Sequence, residues 1–273
     1  MLEWRAEEKV TSSLAFDQAV SYYDQTRVDP AWVMGAIADS ITREAQVAPA
    51  SHILEIGIGT GRIALPLLER GLPVIGIDLS LAMIAELQKK IANKSARVAF
   101  AQADANDLPF PHATFDCAYA VHVYHLVANW QRALRDALRV VKPRGTLLIS
   151  YHFRRPDSPN RRLRQKLNEL VEPFGIDTRR PGAQTSEELK AELEKIAGDL
   201  KIVHVATWQE SGTLAELLDQ LGARIFSETW AIPADVMAQV MPPLRVWAQQ
   251  ELGDLSRVVE GDSQFNWLVA RKM

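Results

Sequence analysis

Short apolar runs alternate with amphipathic segments between residues 52 and 151. The apolar runs predict strands at 52–57, 73–77, 96–101, 114–120 and 145–151. The amphipathic segments between them predict helices at 61–70, 80–92 and 129–141. Because each run is almost continuously apolar, we expect strands that are covered on both faces, as in a parallel sheet with crossover helices.

The regions on either side of this core have different patterns. Apolar positions recur at helical spacing from about Ser12 to Ala45, and Asp29-Pro30 indicates the start of a second helix. Residues 156–200 are strongly charged with a mostly helical pattern, in which Thr185 and Glu188 have the spacing of a capping box. Beyond them the pattern predicts strands at 201–208 and 265–271 and helices at 213–221 and 233–251, the second with a break at Pro242-Pro243.

The chain of 273 residues is long enough to bury a substantial core. We expect a single domain over residues 1–273, with its core at about 46–151 and cap elements at about 1–45, 152–200 and 209–262.

Three glycines at alternate positions follow the first predicted strand, in the segment "EIGIGTG" (Gly57, Gly59 and Gly61). Glycine permits a sharp turn there and removes side chains that would hold a ligand away. The helix that follows directs its unpaired amides towards the same turn. The next predicted strand ends in Asp78, which is placed to accept hydrogen bonds from both hydroxyls of a ribose. The stretch therefore predicts a cofactor that contains adenosine.

The spacing of the glycines distinguishes between cofactors. The dinucleotide fingerprint is G-x-G-x-x-G, whereas this chain has G-x-G-x-G, with Glu55 two positions before the first glycine. This pattern resembles the first motif of class I S-adenosylmethionine-dependent methyltransferases, E/D-x-G-x-G-x-G. The resemblance implies S-adenosyl-L-methionine as the cofactor, because an acidic side chain suits its ammonium and sulfonium groups.

Further segments resemble the same family over about residues 50–151, namely "VIGIDLS", "AQADANDLPFPHATFDCAYA" and "ALRVVKPRGTLLIS". The segment "YYDQTR" is similar to a Tyr-Asp-x-x-Arg segment of the subgroup that includes ubiquinone and menaquinone biosynthesis methyltransferases. The resemblance implies a Rossmann-like α/β fold with a mostly parallel seven-stranded sheet, helices on both faces and a helical cap. The cofactor-binding residues that it implies are Tyr23 (with Tyr22 as an alternative), Arg27, Glu55, Gly57, Gly59, Gly61, Asp78, Leu79, Met83, Asp104 and Ala105.

Two histidines follow the fourth predicted strand, in "YAVHVYHLVANW". Methyl transfer depends chiefly on alignment of the nucleophile with the methyl group, and proton removal helps only for some acceptor atoms. His122 and His125 are therefore the candidate catalytic residues, since the resembling subgroup carries histidine at this place. Whether either one acts as a base, orients the acceptor or only packs is left open.

Composition narrows the other possibilities. A net charge of −3 and the lack of an Asn-Pro-Pro-Tyr or Asp-Pro-Pro-Tyr segment disfavour a nucleic-acid partner, and we interpret the basic residues between 154 and 166 as a solvated helix surface. Cys117 is the single cysteine, and the histidines lack carboxylates at ligand spacing, so we predict no metal. The charged N-terminus and the lack of a long apolar run predict a cytoplasmic protein without a membrane partner.

The resemblance implies an enzyme that methylates a small molecule. Two alternatives remain open, a non-catalytic protein that binds the same cofactor and an NAD(P)-dependent oxidoreductase. Aromatic and methionine residues of the cap, such as Trp230 and Met241, are interpreted mainly as core; any that line a cavity would favour a small, partly apolar acceptor. The sequence leaves the acceptor atom and the oligomeric state undetermined.

Overall fold

The computed structural model describes residues 13–92, 97–153 and 158–273. The predicted helical start at Ser12, position 96 of the third predicted strand, Arg154 and Arg155 of the basic cluster, and the start of the charged segment at 156 lie outside the described residues.

A seven-stranded sheet forms the centre of the protein, with strand order β3-β2-β1-β4-β5-β7-β6. The strands are β1 Ile53–Ile56, β2 Val74–Asp78, β3 Val98–Gln102, β4 Phe115–Val121, β5 Val141–Phe153, β6 Asp199–Thr213 and β7 Val258–Arg271. All neighbouring pairs are parallel except those of β7, which runs antiparallel to β5 and β6. The mostly parallel α/β fold that the sequence predicts is therefore confirmed.

Helices pack on both faces of this sheet. They are α1 Tyr23–Thr26, α2 Ala31–Ala45, α3 Ala64–Glu69, α4 Leu81–Ile91, α5 Trp130–Val140, α6 Pro159–Val171, α7 Ser186–Ile196, α8 Leu214–Gly222 and α9 Ala234–Glu251. Buried residues of α2, α3 and α4 pack on one face and those of α5 and α7 on the other. A third apolar cluster joins α6, α8 and α9 into the cap. The predicted capping box at Thr185 is confirmed in part: the Thr185 hydroxyl accepts from the Glu188 amide, whereas the Glu188 carboxylate accepts from the Gln184 amide and not from that of Thr185.

The prediction of a largely helical segment from Ser12 to Ala45 is wrong in its first half. Before α2 the described chain contains only a 3₁₀ turn at Asp17–Ala19 and the four-residue α1. Such short helices are marginal by themselves. Side chains of this segment bond to the sheet-side loops described below, so tertiary contacts determine its path.

Two elements differ in extent from their predictions. β6 and β7 remain paired as far as Thr213 opposite Val258, well beyond the predicted strands. This polar ribbon connects the sheet to α8 and α9, and it lacks the apolar pattern from which strands were predicted. The predicted break at Pro242-Pro243 is also wrong, because α9 runs through both prolines. Val240 and Leu244 are buried on either side of them, so packing holds the two halves in one helix.

The parallel strands point their carboxyl ends at one edge of the sheet. The turn after β1, Asp78 at the end of β2, and the loop after β4 meet there. Ligands of open α/β sheets bind at this edge.

Candidate functional site

The turn after β1 has a backbone that requires glycine. Gly57, Gly59 and Gly61 have φ angles of +75°, +54° and +80°, in the region that residues with a Cβ rarely adopt. The amides of Gly57 and Ile58 both donate to the Ile77 carbonyl at 2.8 Å, which folds the turn onto the end of β2. A Cβ on Gly57 would lie 2.5 Å from Cγ2 of Val123, in the loop after β4. The turn is therefore closely packed, and its backbone conformation favours glycine.

Asp78 connects this turn to the start of α4. Its Oδ2 accepts from the Gly59 amide at 2.8 Å, and its Oδ1 accepts from the Ser80 amide at 2.9 Å. Burial raises the pKa of Asp78, although these amide bonds favour its ionised form. Each carboxylate oxygen has a further lone pair, so Asp78 can accept ligand hydroxyls while it holds the loop.

A cleft opens above this edge of the sheet, with about 670 Å³ of empty space when the open solvent at its mouth is included. The predicted residues that line it are Tyr23, Gly57, Gly59, Asp78, Leu79, Met83, Asp104, Ala105 and His122. The cleft is also lined by Leu126 and by four residues that no sequence motif indicated, namely Ser13, Leu14, Phe16 and Val123. Ser13, Leu14 and Phe16 lie in the segment that was expected to be a regular helix.

Glu55 lies beneath the cleft rather than in its wall. Its side chain is buried and accepts a hydrogen bond of 2.8 Å from the Tyr119 hydroxyl. Burial raises the pKa of Glu55 well above its ordinary value, against the opposing effects of the Tyr119 bond and of Arg62. The acidic residue of the glycine motif thus joins β1 to β4 through its side chain.

Three further predicted residues also lie outside the cleft lining. The Arg27 guanidinium stacks over the rings of Tyr23 and Phe226, at 5.8 and 5.3 Å from their centroids. Gly61 faces α4, where an added Cβ would overlap the Leu87 side chain. The His125 carbonyl accepts from the Gly182 amide at 3.1 Å, which joins the loop after β4 to the segment before α7.

His122 lies at the end of β4 in an unusual backbone conformation. Its φ is +57°, a left-handed value that histidine tolerates better than most residues with a Cβ but that remains costly. The His122 amide donates to the Ser150 hydroxyl at 3.1 Å, which fixes the turn against β5. The ring packs edge-on to Phe265 at 6.2 Å and lines the cleft.

Three aspartates hold the N-terminal segment over the cleft. Asp17 accepts from the Ser80 hydroxyl at 2.7 Å. Asp24 accepts from the Thr60 hydroxyl at 2.6 Å and pairs with Lys90 at 2.7 Å. Asp29 pairs with Arg62. These bonds reach the glycine turn at Thr60, the residues before α3 and both ends of α4, so the segment closes one side of the cleft.

Comparison with known proteins agrees with this architecture. Residues 54–149 match the family described as "Methyltransferase domain". The chain is 32% identical over 130 residues to a phosphatidylethanolamine N-methyltransferase of Cereibacter sphaeroides, covering 46% of this chain and 64% of that protein. It is 31% identical over 152 residues to a ubiquinone/menaquinone biosynthesis C-methyltransferase of Syntrophotalea carbinolica, covering 53% and 62%.

Residues 54–149 are a methyltransferase domain. The predicted family resemblance, including that to the quinone-biosynthesis subgroup, is thereby confirmed. The fold also superposes on the crystal structure of the YcgJ protein from Bacillus subtilis with a TM-score of 0.60 at 20% identity, covering 86% of this chain and 97% of that one. The chain spans less than two thirds of the length of the two curated methyltransferases above.

The methyltransferase domain match ends at residue 149, before the helices α6, α8 and α9 that build the cap. Over the described ranges, no helix is long and apolar enough to cross a membrane. Within the same residues no three histidine, cysteine, aspartate or glutamate side chains converge as a metal site would require, and the predicted lack of a metal stays a prediction.

Proposed function

We propose that the cleft binds S-adenosylmethionine and that the protein transfers its methyl group to a small-molecule acceptor. The observation that carries the proposal is Asp78, whose carboxylate joins the glycine turn to α4 and lines the cleft. A carboxylate in this position suits the two hydroxyls of a ribose.

The residues of the cleft fit this cofactor along its length. Leu79, Met83 and Ala105 supply apolar surface for a flat base, and Asp104 supplies an acceptor for an exocyclic amine. Gly57 and Gly59 leave the opposite end open to a polar tail, because neither has a side chain to fill it.

The protein's part in the reaction is to align the acceptor with the methyl group and to exclude water. When bound, S-adenosylmethionine supplies an electrophilic methyl group on a good leaving sulfide. Phe16, Tyr23, Val123 and Leu126 surround the cleft with apolar surface and keep solvent from the reacting atoms. Alignment of this kind supplies on the order of 7–11 kcal/mol in favourable systems.

His122 is the better candidate to contact the acceptor. It lines the cleft, and its backbone is held by Ser150, so the imidazole has a defined position. An imidazole titrates near neutral pH and can take a proton from a hydroxyl or amine acceptor. His125 lies outside the cleft lining and is proposed to act through its backbone, which holds the neighbouring segment.

The nature of the acceptor remains part of the proposal. The relatives' names cover a phospholipid amine and a quinone carbon, so different acceptor atoms occur among them. We propose a single methyltransferase domain with its core at about 46–151 and the three cap regions above it, and the cap is proposed to select a small acceptor. The cytoplasmic location, and the lack of nucleic-acid and membrane partners, stay predictions.

A transfer assay tests the proposal. The purified protein, incubated with tritiated S-adenosylmethionine and the small-molecule fraction of a cell extract, is expected to label at least one metabolite. Asp78→Asn should abolish most of this labelling, whereas Asp39→Asn, in an exposed ion pair with Arg70, should leave it unchanged. Cofactor binding without any labelled product would support a non-catalytic binding protein instead.

A further inference from the structure

A second cavity lies beside the cofactor cleft, with about 580 Å³ of empty space when the open solvent at its mouth is included. Its walls include Leu14, Gln18, Thr178, Arg179, Arg180 and Trp230. Leu14 lines both spaces, so one side chain separates them. Phe16 of the cleft also packs edge-on against Trp230 of the cavity, with ring centroids 4.8 Å apart. A molecule held in the second cavity therefore lies one layer of side chains away from the cleft.

The loop after β4 supports both spaces through its backbone. The Leu126 carbonyl accepts from the Leu14 amide at 2.9 Å, and the Tyr124 carbonyl accepts from the Ala183 amide at 3.0 Å. At Gly182 an added Cβ would overlap the Tyr124 carbonyl oxygen, so only glycine allows this approach. The segment that carries the two arginines is thus fixed to the same loop that carries His122.

The charge of the second cavity is distinctive. Among the described residues that line it, the charged ones are Arg179 and Arg180, and none is a carboxylate. Arg179 donates through Nε and Nη2 to Asp177, which uses only part of its five N–H donors. Its side chain is 78% exposed at the rim, whereas that of Arg180 is 27% exposed. Arg180 is therefore the inner cation and Arg179 the outer one.

The inner arginine has a defined position. Glu228 accepts from Arg180 at 3.3 Å and also pairs with Arg164, which lies 4.2 Å above the centre of the Phe226 ring. One carboxylate is thus shared between two guanidinium groups. This pairing also changes the interpretation of the basic cluster, since Arg164 is turned inward to the cap instead of forming a solvated surface.

The remaining walls combine the polar side chains of Gln18, Thr178 and Ser227 with apolar surface from Leu14 and Trp230. The Trp230 indole donates to the Arg224 carbonyl at 3.0 Å, which fixes the plane of its ring. Leu14 adds an aliphatic side chain to the same cavity. Guanidinium groups next to a fixed aromatic face suit a ligand with a planar anion on an apolar body.

We propose that the second cavity holds the far end of the methyl acceptor and takes acceptors that carry a carboxylate, phosphate or sulfate group on an aromatic or aliphatic body. The assignment to an acceptor rests on the proposed function of the cleft, whereas the preference for anions follows from the cavity itself. The reacting atom of such a molecule would reach past Leu14 towards His122.

Three probes test the preference in isothermal titrations of the whole protein. 2-Naphthoate has both the anion and the apolar body, 2-naphthamide has the same body without charge, and acetate has the charge alone. We expect 2-naphthoate to bind about tenfold or more tightly than either partial probe, a difference typical of one charge-assisted contact. Equal affinity for 2-naphthoate and 2-naphthamide, or for 2-naphthoate and acetate, would overturn the proposal.

Variants assign the effect to the cavity. We expect Arg180→Gln to reduce the affinity for 2-naphthoate about tenfold and Arg179→Gln to reduce it about threefold, because the inner arginine is less solvated. The affinity for 2-naphthamide should stay unchanged in both variants. Arg132→Gln, exposed on α5 and outside both lining sets, is the matched control and should behave as wild type. Unchanged affinity for 2-naphthoate in both cavity variants would contradict the site. Arg179 lies in an exposed ion pair, so Arg179→Gln still tests the site if Arg180→Gln misfolds.

The two proposals fail separately. The titrations are run with and without S-adenosylhomocysteine. If the protein does not bind this compound but still prefers 2-naphthoate through its arginines, the anion site is supported and the methyltransferase assignment is contradicted. A protein that binds S-adenosylhomocysteine but does not distinguish the three probes retains the cofactor cleft and loses the anion site.

Discussion

The Asp24 carboxylate accepts a hydrogen bond of 2.6 Å from the Thr60 hydroxyl, which joins the N-terminal segment directly to the glycine turn. Lys90 pairs with the same carboxylate and donates to the Thr60 carbonyl at 2.9 Å. Burial raises the pKa of Asp24, but the bonds from Lys90 and Thr60 outweigh it and lower the pKa below its ordinary value. The neighbouring Tyr23 lines the cleft, so this contact helps to close one side of it.

Asp24→Asn should reduce the affinity for S-adenosylhomocysteine about threefold, as expected for the loss of one half-exposed ion pair. The difference between wild type and variant should decrease in 1 M salt, because salt screens the Asp24–Lys90 ion pair of the wild type. The hydrogen bond to Thr60 is not an ion pair and is not screened in this way. Titrations at low and high salt measure it, with Asp39→Asn as the exposed control. A tenfold loss in both salt conditions would show that the hydroxyl bond, rather than the ion pair, holds the segment.

Gly57→Ala should reduce cofactor affinity by about tenfold or more, because the new Cβ meets Val123 and the backbone has a positive φ. Gly71→Ala is the matched control, since Gly71 has a φ of +73° and no heavy atom within 4 Å of an added Cβ. Both variants should lose about 1 kcal/mol of stability from backbone strain. Loss of cofactor affinity in both would mean that global destabilisation, and not the cleft, is responsible.

Glu55→Gln should change the pH dependence of stability. Burial raises the pKa of Glu55 in the folded protein, so the folded state binds a proton that the unfolded state has lost above pH 4.5. Its contribution to stability therefore decreases as pH rises from 4.5 towards the raised pKa, by up to about 1.4 kcal/mol per pH unit. Gln retains an acceptor for Tyr119 and cannot titrate.

Denaturant unfolding of both proteins at pH 5 and pH 8 measures this effect. The free energy of unfolding of Glu55→Gln should increase relative to wild type between the two pH values. Parallel pH profiles would contradict a buried, proton-binding Glu55.

His122→Asn tests the role of this side chain separately from its backbone. Asparagine also tolerates a left-handed φ, so the fold and the affinity for S-adenosylhomocysteine should change little. Tritium transfer to an acceptor should fall by about 10²-fold if the imidazole takes a proton. His112→Asn, in an exposed turn, is the control. An unchanged transfer rate would assign His122 to packing alone.

Much of the cofactor side of this protein is predictable because its signals are local. Strand, turn and helix follow within a few residues at Gly57, and Asp78 ends the next strand. The N-terminal segment is different, because Asp17, Asp24 and Asp29 find partners 33 to 63 residues away. No local pattern encodes those bonds, and helical spacing alone predicted a regular helix there.

The position of Glu55 illustrates a second limit. A motif identifies the residue type but not whether its side chain faces the cleft or the core, and in a strand covered on both faces each orientation is buried. The second cavity illustrates a third limit, since Leu14, Arg180 and Trp230 are far apart in sequence and meet only through tertiary structure.

Calorimetric titration of the purified protein with S-adenosylhomocysteine tests the central claim most directly, with NADH as the comparison ligand. We expect saturable one-to-one binding of S-adenosylhomocysteine that Asp78→Asn weakens about tenfold or more, as expected when hydrogen bonds to a carboxylate are lost, and no binding of NADH. Absence of S-adenosylhomocysteine binding at millimolar concentration, or tighter binding of NADH, would contradict the account.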